Sequence, residues 1–492
     1  MGKGCKNNSL KESCGSFLKS SGPNLIYHLQ RPLPKGGAFC YNTPMETTRD
    51  IVNKIAYLVA EAGGRAYYVG GFVRDRLMGR PGKDVDMEVH GIQPEALWDI
   101  LTQVGEPKTF GASFGVYSLR GYDIDIAMPR KESAIGRGHR DFEVYVDPFL
   151  GTTEAARRRD FTVNSLMEDI LTGEVLDPFD GQADLVAGVL RHVDDRSFPE
   201  DPLRVLRCAQ FASRFEFSVA EETIALCRGI NLEELSRERV EEELKKALLK
   251  GSKPSLFFET LRAMDQLDTW FPELKQLIDL PQDPIYHPEG DVWIHTMQVL
   301  DRAAAYRDRV DNPYAFMLLA LTHDLGKIVT TGELNGRIHA YGHETAGMPL
   351  VKAFIRRITA ENDIKKYIYN MVPLHMKPNM VGYSRSKLTV TNRMFDSAAA
   401  PLDLVYFAEC DAPVMAGDNP FSGNTEFLME RLETYAEIMS RPHVTGQDLL
   451  DAGIEPGPNF SLILAHAHKL RLAGIDKESA LKQTLGFARK LK

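Results

Sequence analysis

Two carboxylates one residue apart, Asp84 and Asp86, open the apolar run DVDMEV, and a Gly70-Gly71 pair precedes them in YVGGFVRD. Alternate residues of a strand project from one face, so both carboxylates can reach one point, as two ligands of a single hard cation require. A third acid on a neighbouring strand would complete the set. Asp125 in YDIDIAM is well placed, and Asp123 lies two residues earlier on the same face, so spacing alone does not choose between them. Gly70 and Gly71 carry no Cβ, which lets backbone approach a phosphate closely and offers N–H donors where the next helix begins, with Arg74 one turn in. Carboxylates gathered on Mg2+ neutralise a triphosphate and activate a hydroxyl for in-line attack on phosphorus.

A second constellation is EDPLRVLR. Asp201 and Arg204 are three apart and would share one face of a helix that starts at Glu200-Asp201-Pro202. Cytosine and adenine both present an exocyclic amine beside a ring-nitrogen acceptor, so an aspartate that accepts and an arginine that donates would select the two bases together. A wrong base would leave a buried charged group unpaired, at a cost of ~2 kcal/mol or more. The competing reading is a surface ion pair worth ~0.3 kcal/mol.

The third constellation is imidazole-rich. His323 and Asp324 are adjacent in ALTHDLGK, His295 lies 28 residues earlier in VWIHTMQVL, and His343 in YGHE is an extra candidate ligand. Residues so spaced can meet only in a helical bundle. Imidazole and carboxylate donors with open positions suit Mn2+, Fe2+, Ni2+ or Zn2+ rather than a closed structural zinc site.

The elements that must hold these groups follow from periodicity. A helix from Thr47 through Ile51, Ile55, Leu58 and Val59 stops at Gly63-Gly64; β-rich runs at 66–69, 85–89, 115–119 and 122–128 then alternate with helical stretches. From Asp201 onward nearly everything has helical spacing. The expected fold class is therefore α+β: a mixed-sheet head at 45–190, a helical neck at 191–275 that binds base and RNA, a helical metal-binding domain at 276–437 and a helical tail at 438–492. The Pro-rich stretch 271–290 reads as a linker, and 417–423 with 442–458 as a break before the tail. Residues 1–44, rich in Gly, Pro, Ser, Asn and Lys, read as a flexible extension, with Met45 as an alternative start.

Composition sets the outer bounds. At 492 residues, roughly three folding units are expected, and 43% hydrophobic with 26% charged residues is ordinary for a globular chain. With no long apolar run and no secretory signal, no membrane association is expected and the cytoplasm is the expected location. Six cysteines without a CxxC pair fit a reducing compartment. A net charge of -9 argues against a generally basic, nucleic-acid-coating protein, and no DNA partner is expected, but the charge is uneven. Between Lys352 and Arg393 nine basic residues face two acids, and Lys469–Lys492 carries seven basic and two acidic residues. Either segment could hold the phosphates of a folded RNA, or be an ordinary solvated helix face.

GG, VRD and a D-x-D strand together resemble the polymerase-β-like nucleotidyltransferases, specifically the bacterial tRNA CCA-adding enzymes and poly(A) polymerases. RRDFTVNSL at 158–166, LDPFDG at 176–181, EDPLRVLRCAQFASRF at 200–215 and RERVEEELKKAL at 237–248 are similar to that family's later motifs, in order. The resemblance implies metal binding by Asp84 and Asp86, nucleotide contacts from Arg159, Asp160 and Asn164, and base reading by Asp201 and Arg204, with Arg207 beside them. It implies addition of CCA from CTP and ATP to the 3′ end of tRNA; CC-only or A-only addition and poly(A) synthesis are the alternatives within the family. The third constellation resembles the HD-type phosphohydrolases, which makes Asp411 in YFAECDAPV the last ligand beside His295, His323 and Asp324. CCA-adding enzymes with such a domain can carry 2′,3′-cyclic phosphodiesterase or 2′-phosphatase activity. From a different class, the chain could be an HD phosphohydrolase with a nucleotide-sensing head.

Overall fold

The computed structural model describes residues 47–492 except 81, 83, 110–114, 135–141, 413–421 and 492; the extension expected at 1–44 lies outside the described residues. Helix α1 (Thr48–Glu61) buries Ile51, Ile55 and Val59, which recur every four residues on one face. It ends where Gly63 takes a positive φ of 87° and leads into β1 (Arg65–Val69). Helix α2 (Gly71–Leu77) and β2 (Val85–His90) follow, then α3 (Pro94–Val104), β3 (Pro107–Thr109), β4 (Val116–Leu119), β5 (Ile124–Ala127), the hairpin β6 (Arg130–Ala134) and β7 (Phe142–Val146), β8 (Met167–Asp169) and β9 (Val175–Leu176).

Seven of these strands form one mixed sheet in the order β3-β4-β5-β2-β1-β8-β9. Only the β2–β5 pair is parallel; the rest of the ladder is antiparallel. One face packs Met87, Val89, Ile124 and Ile126 with Val52, Leu97 and Leu101 of the helices into a core. On the other face Tyr67, Val69 and Met167 pack a smaller cluster with Ala156, and the part around Asp86 and Asp125 is left open.

Beyond the sheet the described chain is helical apart from short strand pairs, as an α+β fold requires. A single hydrophobic core runs from Phe161 to Leu428, crossing the expected neck boundary at 275 without a gap. The Pro-rich stretch accordingly differs from a free linker. Phe271, Leu274 and Leu277 are fully buried in that core, because three large apolar side chains gain more from packing than the segment's prolines gain from extension. The tail helices Phe460–Leu472 and Lys477–Arg489 pack on each other around Leu449, Ile463 and Ala480.

Helix Pro313–Thr322 is buried on every side, which makes it the axis of the helical part. Asn312 accepts a hydrogen bond from the Ala315 N–H and Pro313 opens the first turn, so the start of this helix is set by local sequence. Its end delivers His323 and Asp324 into the interior.

Candidate functional site

Two sites emerge, one on the sheet and one in the bundle. On the sheet, Asp86 and Asp125 are directly paired across the parallel β2–β5 ladder, so both carboxylates leave the same, solvent-facing side. Asp123 lies just before β5, its backbone carbonyl accepting from the Val85 N–H. Asp84 precedes β2 in a bend and is exposed. Burial, then the like charges of Asp125 and Asp84, push the Asp86 carboxyl above the usual range, against the pull of Arg159 and Arg74. An all-oxygen set crowded by like charge fits a hard divalent cation, which would relieve that repulsion.

Gly70 ends β1 with φ +64°, and a Cβ there would sit 2.7 Å from the Arg159 guanidinium. Glycine therefore lets Arg159 lie over the turn. Glu88, one alternate residue beyond Asp86, escaped the sequence reading. It is buried beneath Arg158 and Arg159, at 3.1 and 3.4 Å, and bonded to His90 at 2.9 Å. Burial opposes its charge, but His90 and the two arginines outweigh it and hold the carboxyl down to about 2.

Arg74, Asp160 and Asn164 are all buried. Arg74 donates to Asn164 Oδ1 at 2.5 Å and to Asp75, and lies over the Phe211 and Phe215 rings; Asn164 donates to Asp160 at 2.9 Å, and Arg207 closes the chain on Asp160 at 2.8 Å. Burial resists the Asp160 charge, but Arg207, Asn164 and the Phe161 N–H outweigh it and lower its pKa. In this arrangement these side chains build the wall of the site rather than face solvent, since each buried charge needs its partner.

Asp201 and Arg204 are not paired with each other. The helix begins at Leu203, so Asp201 lies outside it and the i,i+3 face does not include it. Asp201 instead takes a bidentate contact from Arg239, 3.0 Å to each oxygen, while Arg204 donates to the carbonyls of Ser197 (2.6 Å) and Arg158 (2.5 Å). Arg239, within RERVEEELKKAL, was not singled out from the sequence, where only its basic character marks it.

The bundle site is tighter. His295, His323 and Asp411 come together, and Asp324, His343 and His375 form an adjoining group, with ligand atoms inside 4.8 Å in each. Among the described residues every such group lies in the helical part; the head carboxylates do not converge to that spacing. His295 Nε2 is 3.0 Å from Asp411 Oδ1, and His323 Nε2 is 3.2 Å from Asp324 Oδ2 and 3.3 Å from Asp411 Oδ1. Glu289 orients His295, accepting from its Nδ1 at 2.8 Å, and Lys327 Nζ lies 2.8 Å from Asp324 Oδ2. Burial works against a charged His323, but Asp324 and Asp411 prevail and raise it to about 10. The converse pull holds both carboxylates well below their usual range against the cost of burial. The pocket demands positive charge, and imidazole with carboxylate is the donor set of a divalent transition metal.

Two glycines make this convergence possible. A Cβ on Gly326 would lie 1.9 Å from the His343 carbonyl, and one on Gly347 would lie 2.3 Å from Gly326 Cα, so the two backbones touch where HDLGK crosses GHETAG. His375 and Glu289 were absent from the sequence reading; a lone histidine in VPLHMK carries no local signal, whereas Glu289 sat unused in HPEG. The site opens on a cavity of about 820 Å³ edged by Tyr286, Arg337, Tyr341 and Tyr383.

Residues 66–191 match the Poly A polymerase head domain, and residues 216–278 the probable RNA and SrmB-binding site of polymerase A. The chain is 41% identical over 323 residues to a multifunctional CCA protein of Methylobacillus flagellatus, covering 65% of this chain and 75% of that protein. It is 35% identical over 404 residues to the multifunctional CCA protein of Thioalkalivibrio sulfidiphilus, covering 79% and 93%. The fold is similar to that of the Thermotoga maritima CCA-adding enzyme complexed with tRNA, with a TM-score of 0.59, 20% identity, and 89% and 94% coverage. No helix of the described residues is long and apolar enough to cross a membrane.

Proposed function

Because the chain belongs to the family of multifunctional CCA proteins, we propose that it is a tRNA nucleotidyltransferase that adds CCA, from CTP and ATP, to the tRNA 3′ end without a nucleic-acid template. The observation that carries this reading is the pairing of Asp86 with Asp125 on the open sheet face, beside Asp84 and inside the segment matched to the polymerase head. The family is divalent-metal-dependent, and the hard oxygen donors favour Mg2+ held by Asp84, Asp86 and Asp125. When bound, the ion supplies charge neutralisation at the triphosphate.

The chain's own residues do the rest. Gly70 and Gly71 admit the phosphates, and Arg159, over the turn, neutralises them. The RNA 3′-oxygen forms its bond to the α-phosphorus as the bond to pyrophosphate breaks, and the hydroxyl proton passes to solvent. Base selection falls to Asp201 and Arg204, which must exchange their contacts with Arg239 and the Ser197 and Arg158 carbonyls for the base edge. The chain works as a head at 45–190, a neck at 191–275, an HD domain at 276–437 and a tail at 438–492, with RNA gripped by the basic segments 352–393 and 469–492.

The convergence of His295, His323, Asp324 and Asp411 on a cavity favours a second activity: metal-dependent hydrolysis of 2′,3′-cyclic phosphodiesters or 2′-phosphates. One assay separates the readings of the head. tRNA transcripts ending before CCA, after C and after CC are incubated with CTP, ATP or both. Completion of all three supports the proposal, partial products indicate a CC-only or A-only enzyme, long A tails a poly(A) polymerase, and no extension leaves the hydrolase alone.

A further inference from the structure

The geometry points to Glu88 as a positioning residue for nucleotide binding, one that fixes the Arg159 guanidinium over the glycine turn where the triphosphate enters. The proposal rests on reading the head as a nucleotide site, and adds to that site a residue that no motif marks. Residues 86, 88 and 90 alternate toward one face of β2, so the strand that presents the Asp86 carboxylate also presents Glu88 and His90. Glu88 is only 1% exposed and lies beneath Arg158 and Arg159. It can therefore act on a nucleotide only through them.

The contacts divide between the two carboxylate oxygens. Oε1 lies 2.9 Å from His90 Nε2, and His90 Nδ1 lies 3.2 Å from the Leu150 carbonyl, which ties the carboxyl to the backbone behind it. Oε2 accepts from Arg158 Nη2 at 3.1 Å and from Arg159 Nη2 at 3.4 Å. Two guanidiniums on one oxygen repel each other, and the carboxylate charge is what holds them together. Arg159 spans two partners. Its Nη2 meets Glu88, while its Nη1 is the atom that a Cβ at Gly70 would approach to 2.7 Å. One arm of the fork is anchored and the other is held beside the turn.

A carboxylate near a triphosphate repels it, so its presence needs a return. Two arginines face one carboxylate, which leaves the cluster net positive toward Gly70, and their side chains stay 25% and 19% exposed, within reach of a ligand. An arginine already held in place binds phosphate without losing its side-chain freedom at that moment. The return is pre-organisation. If Glu88 served only to neutralise the arginines, its loss would lower stability and leave phosphate affinity alone; a positioning role places the loss in phosphate affinity.

The test compares the full chain with E88Q, R159A and the double variant, reading nucleotide affinity by calorimetry and turnover by extension of tRNA that lacks CCA. Glutamine keeps the size and one acceptor oxygen of glutamate but drops its charge. E88Q should raise Kd for CTP and for ATP alike by about 10-fold, with kcat at saturating nucleotide little changed. Inorganic tripolyphosphate, which has neither base nor sugar, should weaken as a competitor by the same factor. In the R159A background E88Q should add less than about 2-fold, because the group it positions is gone. Circular dichroism shows which variants are folded; should E88Q not fold, E88D, one methylene shorter, should weaken CTP and tripolyphosphate together by a smaller factor. A folded variant with parental affinity for both overturns the proposal, as does an effect that persists in full without Arg159. A parent that neither binds CTP nor extends tRNA overturns the reading of the head on which the proposal rests.

Discussion

On the proposed reading, the head and the bundle would each hold a divalent ion near a phosphate, and they offer opposite materials for it. The head uses oxygen donors at and beside adjacent strands, two of them exposed, and there burial and the like charges of its neighbours push the Asp86 carboxyl upward. The bundle uses imidazoles and carboxylates deep in the core, each ring aimed by a hydrogen bond at its far nitrogen. An open oxygen site suits an ion that arrives with a triphosphate and leaves with pyrophosphate. A buried site with oriented nitrogen donors suits an ion that stays. Exposure and ligand hardness, rather than ligand number, therefore separate a substrate-borne ion from a resident one.

The comparison can be broken most sharply at the carboxylates. Asp84→Asn with Asp86→Asn should lower nucleotide transfer to tRNA by at least ~10³-fold, as loss of the groups that organise transition-state charge does, while the metal bound in the bundle is unchanged. The measurement is primer extension beside metal analysis, and retained extension would remove the head from the account. His323→Gln should do the reverse. Hydrolysis of 2′,3′-cyclic AMP with Mn2+ or Ni2+ should fall by ~10²-fold or more, and extension by the head should change little.

A smaller effect concerns the wall of the head. Asp160→Asn leaves Arg207 without its buried partner and should cost about 3–5 kcal/mol, read from denaturant unfolding at neutral pH. The Asp160 carboxyl is lower in the folded chain than in the unfolded one, so its contribution is complete above the ordinary carboxylate range and is lost as pH falls through the lowered value. The gap between parent and variant should therefore narrow on acidification; a gap that widens would contradict the assigned pairing. The smallest effect is expected in the tail. Replacing exposed Lys469, Lys482 and Lys490 by Gln should reduce the slope of log affinity for tRNA against log salt by about 0.7 for each RNA phosphate that a lysine had neutralised, without altering which base is added.

Much of this was legible along the chain. D-x-D at a strand, the Gly-Gly turn and the His-Asp pair each combine residue type with a short, fixed spacing, and the strands and helices around them follow period 2 and period 3.6. What escaped shares a different property. Glu88 becomes significant only because Arg158 and Arg159 return to it from about 70 residues away, and Arg239 only because it meets Asp201. Asp201 and Arg204 show the opposite error. Their spacing suggested one helical face, yet the helix starts at Leu203 and leaves Asp201 to a partner on another helix.

Sequence by itself determined the chemistry available: which donors exist, which lie on one strand or at one helix end, and where glycine permits backbone contact. Tertiary structure alone decided which of them meet. The parallel register of β2 and β5 set Asp125 directly beside Asp86, and the Gly326–Gly347 crossing brought His343 against Asp324, with His375 joining from another turn of the bundle. The physical reason is that a strand or a helix dictates directions over a few residues, whereas a metal site closes on distances of about 3 Å between segments that only core packing can bring into register.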